Sequence, residues 1–220
     1  MKLSVLIPVY NEEKQVVELL RRVAAAPVDK EIIVVDDCSK DRSWELIQSA
    51  NIPALRAFRH SVNQGKGAGI QTALKQAAGD VVLIQDADLE YDPNDYPKLL
   101  APLLRGEAQV VYGARNLGGQ KLMMRLGNQF LTLITNLLFG ARLTDMETCY
   151  KVIPTELMRS LELKADRFQI EPEITGKLLR RGIKIVEVPV SYLPRKEKKL
   201  SPWKDGLPAL AMLFQCRFGQ

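Results

Sequence analysis

The sequence predicts an α/β protein with a mostly parallel central sheet and helices on both faces. Three observations lead there. Val81–Ile84 is apolar without alternation, as a strand covered on both faces is, and Leu3-Ser-Val-Leu-Ile-Pro-Val9 and Ile32–Val35 read as further strands. Stretches with helical spacing and short turns separate them, so the first half alternates β-α-β-α-β-α-β. Polar groups gather directly after the strands, at Pro8-Val-Tyr-Asn-Glu12, Asp36-Asp37 and Asp86-Ala-Asp88. In such sheets ligands bind beyond the carboxyl ends of the strands.

The elements follow in order. Lys2 to Tyr10 is a strand, and Asn11-Glu-Glu13 leads into a helix to about Ala25, with Val16, Val17, Leu19, Leu20 and Val23 at helical spacing. A second strand, Glu31–Asp36, precedes a helix near 42–49 that Ser39 or Asp41 can cap. Leu55–His60 is a weaker strand. The loop Ser61–Gly67 opens a helix over about 68–78, and Gly79-Asp80 leads into the strand 81–84. Downstream come a helix over 95–104, a strand over 109–114 and a long helix, Leu122 to Phe139. A short strand near 150–153, a helix from Phe168 to about Arg181, a strand over 183–190 and a helix over 206–218 complete the chain. There is no internal repeat or low-complexity tract.

The 220 residues suffice for one large α/β domain, and 46% apolar with 26% charged residues is ordinary for a globular protein. Three cysteines and no Cys-x-x-Cys suggest neither a disulfide framework nor a zinc site. Met1-Lys2-Leu3 runs straight into a strand, and no apolar run has the length of a membrane span. The expectation is a cytoplasmic protein, soluble or peripheral on a membrane. The formal net charge is +5, but Arg195–Lys204 holds five basic residues and one acid. So local a charge indicates a particular anionic partner, not nucleic acid; a solvated basic tail accounts for it equally well.

Asp86, Asp88 and Glu90 lie at alternate positions where the 81–84 strand ends. Such carboxylates suit a hard divalent cation that also takes substrate phosphates. Taken alone, an acidic surface turn is the simpler explanation. Gly65-Lys-Gly67 lacks the spacing of a P-loop, so its glycines are expected to serve a tight turn. His60 is the only histidine, which rules out a multi-histidine metal site and gives it a structural role.

Taken together, the motifs resemble a known family. Pro8-Val-Tyr-Asn-Glu12, Val35-Asp-Asp37, Asn63-Gln-Gly-Lys66, Asp86-Ala-Asp88 and Gly113-Ala-Arg115 fall in the order of family 2 glycosyltransferases with the GT-A fold. Arg125-Leu-Gly-Asn128, Thr144–Lys151, Phe168–Glu173 and the Arg195–Gly206 tail resemble the dolichol-phosphate mannose synthase-like branch. The resemblance covers nearly the whole chain. It implies one GT-A domain: a nucleotide-sugar-binding half over 1–115, an acceptor half over 116–194, and a basic tail with a terminal helix over 195–220. It implies that Pro8, Tyr10, Glu12, Val35, Asp37, Asp86, Ala87, Arg195 and Lys199 bind the nucleotide sugar. Asp86, Asp88 and Glu90 would hold Mg²⁺ or Mn²⁺; the best-known synthases carry Gln where Glu90 stands. The tail also departs from the family's Arg-x-x-Gly-x-Ser-Lys, reading Arg195-Lys-Glu-Lys-Lys-Leu-Ser201.

Asp86, Asp88 and Arg115 are the expected catalytic residues. A lipid phosphate is largely dianionic at neutral pH and needs cations, not a base, to attack. Arg115, Arg125 and Asn128 are therefore expected at the acceptor phosphate, since guanidinium grips phosphate in bidentate fashion. The expected reaction moves a hexose from GDP-mannose or UDP-glucose to polyprenyl phosphate with inversion. A glycosyltransferase for a soluble hydroxyl acceptor and a non-catalytic nucleotide-sugar or anionic-membrane binding module are the alternatives. The apolar side of 122–139, the 207–218 segment, the basic run and Trp203 would bring the enzyme to an anionic membrane.

Overall fold

The computed structural model describes residues 1–195 and 202–219. Seven strands form one sheet: β1 (Leu3–Val9), β2 (Lys30–Asp36), β3 (Leu55–Arg59), β4 (Val81–Ile84), β5 (Val110–Arg115), β6 (Lys151–Pro154) and β7 (Ile185–Val190). Their spatial order is β3-β2-β1-β4-β6-β5-β7. β6 runs antiparallel to both its neighbours, and every other pair is parallel. β1, β2 and β4 are buried on both faces along most of their length, which explains the unbroken apolar runs.

The helices are α1 (Val16–Ala25), α2 (Ser43–Ser49), α3 (Lys66–Gln76), α4 (Tyr96–Leu104), α5 (Leu122–Phe139), α6 (Thr155–Ser160), α7 (Ile170–Arg180) and α8 (Pro202–Phe218). α6 was not anticipated from the sequence: it is a six-residue helix directly after β6, too short for a periodic pattern. α1 starts later than Asn11-Glu-Glu13 suggested, because Asn11 takes a left-handed conformation (φ 53°) and turns the chain off β1. α2 begins where expected, with Asp41 Oδ1 accepting from the Ser43 amide at 3.0 Å. Ser39 serves a different contact, accepting from the Asn11 amide.

One large core spans the sheet, α1, α3, α4 and α7. A smaller cluster of Leu131, Leu143, Met146, Ala209 and Leu213 joins α5 to α8. α5 is unusual. Its buried residues are Leu131, Thr132 and Thr135, while Leu122, Met123, Leu126, Phe130, Leu133 and Leu137 are each more than half exposed. Among the described residues no helix is long and apolar enough to cross a membrane.

Candidate active site

β1, β2 and β4 end on the same rim of the sheet, and the polar residues after them meet at a cavity of about 770 Å³. Pro8, Tyr10, Glu12, Asp37, Asp86, Ala87, Asp88, Glu90, Arg115, Asn128 and Arg195 all line it, so eleven sequence-expected residues come together. Three do not. Val35 is fully buried inside β2 and is not among the cavity's lining residues. Arg125 is exposed on α5 and is not among the cavity's lining residues, although Asn128, three residues on, is. Lys199 lies outside the described residues, as do Lys196 and Lys198.

The strand that carries the acids is held firmly. Below it, the Tyr96 and Tyr150 hydroxyls donate to the side-chain oxygen of buried Gln85 at 2.8 and 2.7 Å. Asp86 and Asp88 stay partly exposed at the cavity. Lys66 Nζ approaches Asp86 Oδ1 at 2.6 Å and Glu171 Oε1 at 3.0 Å. Arg195 reaches Glu12 Oε2 at 3.0 Å and Asp88 Oδ2 at 3.5 Å. Glu90 is held by the chain itself: its carboxylate accepts from the Arg195 amide and the Tyr192 hydroxyl, each at 2.9 Å.

Other expected residues carry internal partners too. Asp37 accepts from Asn63 Nδ2 and from the Gln64 and Gly65 amides at 2.7–2.8 Å, and lies 2.8 Å from His60 Nδ1. It thereby shapes the loop into α3, and His60, also 2.9 Å from Thr72 Oγ1, is structural as expected. Arg115 donates to both carboxylate oxygens of Asp145, at 2.6 and 2.7 Å, and lies over the Tyr192 ring. A guanidinium so buried requires such a partner. Asn128 donates to Gln120 Oε1 at 3.1 Å.

The glycines around Lys66 are there for close approach. Gly65 has φ 105°, and a Cβ on Gly67 would sit 2.1 Å from the Ala165 carbonyl oxygen. The 164–165 segment that these glycines approach is held from α7, where Glu173 accepts from the Lys164 and Ala165 amides. Two residues before it, Glu171 pairs with Lys66 and, at 2.9 Å, with fully buried Lys151.

Lys66, Glu147 and Glu171 also line the cavity, and none of them was expected there as a site residue. All three stand inside motifs that carry the family resemblance, Asn63–Lys66, Thr144–Lys151 and Phe168–Glu173, which was the available signal. Burial raises the Glu147 carboxyl to about 7; nearby Glu171 and Asp145 push the same way, Lys151 and Arg115 oppose. Burial also tends to deprotonate Lys66, but Asp86 and Glu171 more than offset it and hold the ammonium charged.

Does this donor set suit a divalent cation? Among the described residues no three His, Cys, Asp or Glu side chains are grouped as ligands. Asp86 and Asp88 nevertheless offer hard oxygens at the cavity, balanced here by cationic side chains. One or two carboxylates plus substrate phosphates is the usual Mg²⁺ arrangement, so the residues present fit such an ion.

Comparison with known proteins decides the family, since Glycosyl transferase family 2 matches residues 4–147. The chain belongs to glycosyl transferase family 2. It is thus a glycosyltransferase. Among its relatives, the dolichol-phosphate mannosyltransferase of Pyrococcus furiosus is 31% identical over 91% of this chain, which spans 59% of that protein. The undecaprenyl-phosphate mannosyltransferase of Micrococcus luteus is 27% identical over 100% of this chain and 94% of its own length. A solved structure, glucosyl-3-phosphoglycerate synthase from Mycobacterium tuberculosis with Mn²⁺, UDP and glucosyl-3-phosphoglycerate, superposes with a TM-score of 0.80 at 21% identity. It covers 98% of this chain and 80% of its own, and confirms the GT-A fold for this family 2 chain.

Proposed function

We propose that this glycosyltransferase moves a hexose from a nucleotide sugar, GDP-mannose or UDP-glucose, to a polyprenyl phosphate with inversion. One observation carries this: a single cavity joins the Asp86/Asp88 pair to an apolar wall of Met123, Leu126, Phe130, Leu207 and Leu210. That wall continues into the exposed apolar side of α5. A diphosphate suits the first part and a prenyl chain the second. The relatives named for dolichol-phosphate and undecaprenyl-phosphate mannosyl transfer support the same acceptor class.

Pro8, Tyr10 and Glu12 lie where the base and ribose would rest, beside Asp37 and the loop it orders. Asp86 and Asp88 would hold Mg²⁺ or Mn²⁺, which supplies positive charge to the departing diphosphate. Arg195, already beside Asp88, adds a cation on the same side. Lys66 keeps Asp86 in place. The acceptor phosphate attacks without a base, because it is already largely deprotonated at neutral pH. Arg167 also lines this cavity and offers a guanidinium for that phosphate, a role sequence analysis gave to Arg125.

The exposed apolar faces of α5 and α8 would seat the enzyme peripherally on the membrane that holds the lipid. The test is transfer of labelled mannose or glucose from GDP-mannose or UDP-glucose to undecaprenyl phosphate in vesicles, with and without Mn²⁺. Metal-dependent glycolipid formation supports the proposal. Transfer only to a soluble hydroxyl acceptor would replace it.

A further inference from the structure

The polar floor of the cavity contains a carboxyl oxygen that has no hydrogen-bond partner among the described residues. Asp86 has Lys66, Glu171 has Lys66 and Lys151, and Arg115 has Asp145. Glu147 lines the same cavity, yet its Oε1 is hidden from solvent and has no hydrogen-bond partner among the described residues. A buried polar atom left unpaired costs free energy that a ligand can recover.

Which ligand group belongs there follows from the surroundings. Lys151 from β6, Arg115 from β5, Glu171 from α7 and Asp145 beside it face Glu147. Of these, Lys151 and Arg115 are each committed to an acidic partner. A phosphate would meet two further carboxylates without a free cation, so the position suits neutral hydroxyls. With a diphosphate at Asp86 and Asp88, the sugar attached to it occupies the same cavity and brings hydroxyls that need partners once water is displaced.

Building on the nucleotide-sugar reading, we infer that Glu147 binds a hydroxyl of the transferred hexose through its neutral carboxyl group. The side chain is then a sugar-reading residue and not a base: it donates its own proton to the sugar oxygen and can accept one in return. The raised carboxyl range, about 7, keeps that proton in place in mildly acidic solution. Deprotonation removes the donated proton and leaves an acceptor only, so a contact that needs Glu147 as donor is present below that range and lost above it.

Calorimetry with Mn²⁺ tests this directly, using UDP, UDP-glucose, GDP and GDP-mannose as probes, one unit either side of about 7. The quantity read is the ratio of nucleotide-sugar affinity to diphosphate affinity. Glu147→Ala lowers that ratio about tenfold with diphosphate affinity unchanged, which also certifies its fold. Glu147→Gln, still a donor and acceptor, recovers part of the ratio. In the wild type the ratio falls at the higher pH; in Glu147→Gln it does not. Equal losses for diphosphate and nucleotide sugar, or no loss in Glu147→Ala, overturn the assignment. So does a ratio intact in both variants while transfer to a hydroxyl acceptor disappears, which would make Glu147 a base. A wild type that binds the diphosphates but neither sugar nucleotide refutes the donor reading itself, and the Glu147 assignment with it.

Discussion

Lys66 and Asp86 form an ion pair 2.6 Å long at the point where α3 meets the end of β4. The same ammonium reaches Glu171 on α7, so one cation neutralises two carboxylates from different parts of the chain. Replacing it leaves Asp86 without that cation and Glu171 with Lys151 alone, at a cost of up to roughly 3–5 kcal/mol. Lys66→Ala is expected to lower Tm markedly, and MnCl₂ is expected to restore part of the loss by supplying the missing positive charge. A scan with and without Mn²⁺ checks this; a Tm equal to wild type in both would contradict it.

Asp88→Asn is expected to abolish metal-dependent transfer with little effect on Tm, because Asp88 is partly exposed and its Arg195 contact is loose at 3.5 Å. Full activity in a folded Asp88→Asn protein would remove Asp88 from the metal site. Glu90→Gln keeps one acceptor for the Arg195 amide or the Tyr192 hydroxyl, and is expected to be tolerated better in the same assay.

Arg115 and Arg125 are expected to separate. Arg115→Ala orphans the buried Asp145 carboxylate and so lowers stability by roughly 3–5 kcal/mol. Arg125→Ala, at an exposed position, changes stability by no more than about 0.5 kcal/mol. Urea unfolding of the two variants measures the difference; similar midpoints would argue against the Arg115–Asp145 pair.

Glu147→Gln is expected to stabilise the protein in alkaline solution. The folded carboxyl titrates near about 7, above its ordinary 4.5, so the native state holds a proton that the unfolded chain releases earlier. Stability from this group is complete below the ordinary value and declines as pH rises through about 7. Above it the charged form is penalised by up to about 3 kcal/mol, which glutamine avoids. The Tm gain over wild type therefore grows between the ordinary 4.5 and about 7, is full above neutrality and vanishes in acid; a gain independent of pH would disprove it.

Leu133 and Leu137 project from α5 outside the cavity and are more than half exposed. Leu133→Glu with Leu137→Glu is expected to leave Tm nearly unchanged and to reduce co-sedimentation with anionic vesicles several-fold. Undiminished vesicle binding would show that this side of α5 does not meet the membrane.

The sequence by itself determined the α/β class, the order of most elements and the rim on which the ligand residues gather. These depend on short-range physics: uninterrupted apolar runs mark doubly covered strands, and parallel strands all end on one edge. Tertiary structure alone decided which side chains are already occupied. Asp37, Arg115 and Glu90 lined up as ligands in the sequence, yet each has internal partners from segments 23 to 105 residues away. The antiparallel insertion of β6 between β4 and β5 brings Lys151 beneath the site, and α7 brings Glu171 against Lys66. Such pairings follow from packing between distant elements, and the periodicity of a single chain carries no record of them. The same packing buried Glu147 beside other acids, and that burial, absent from any motif, holds its proton.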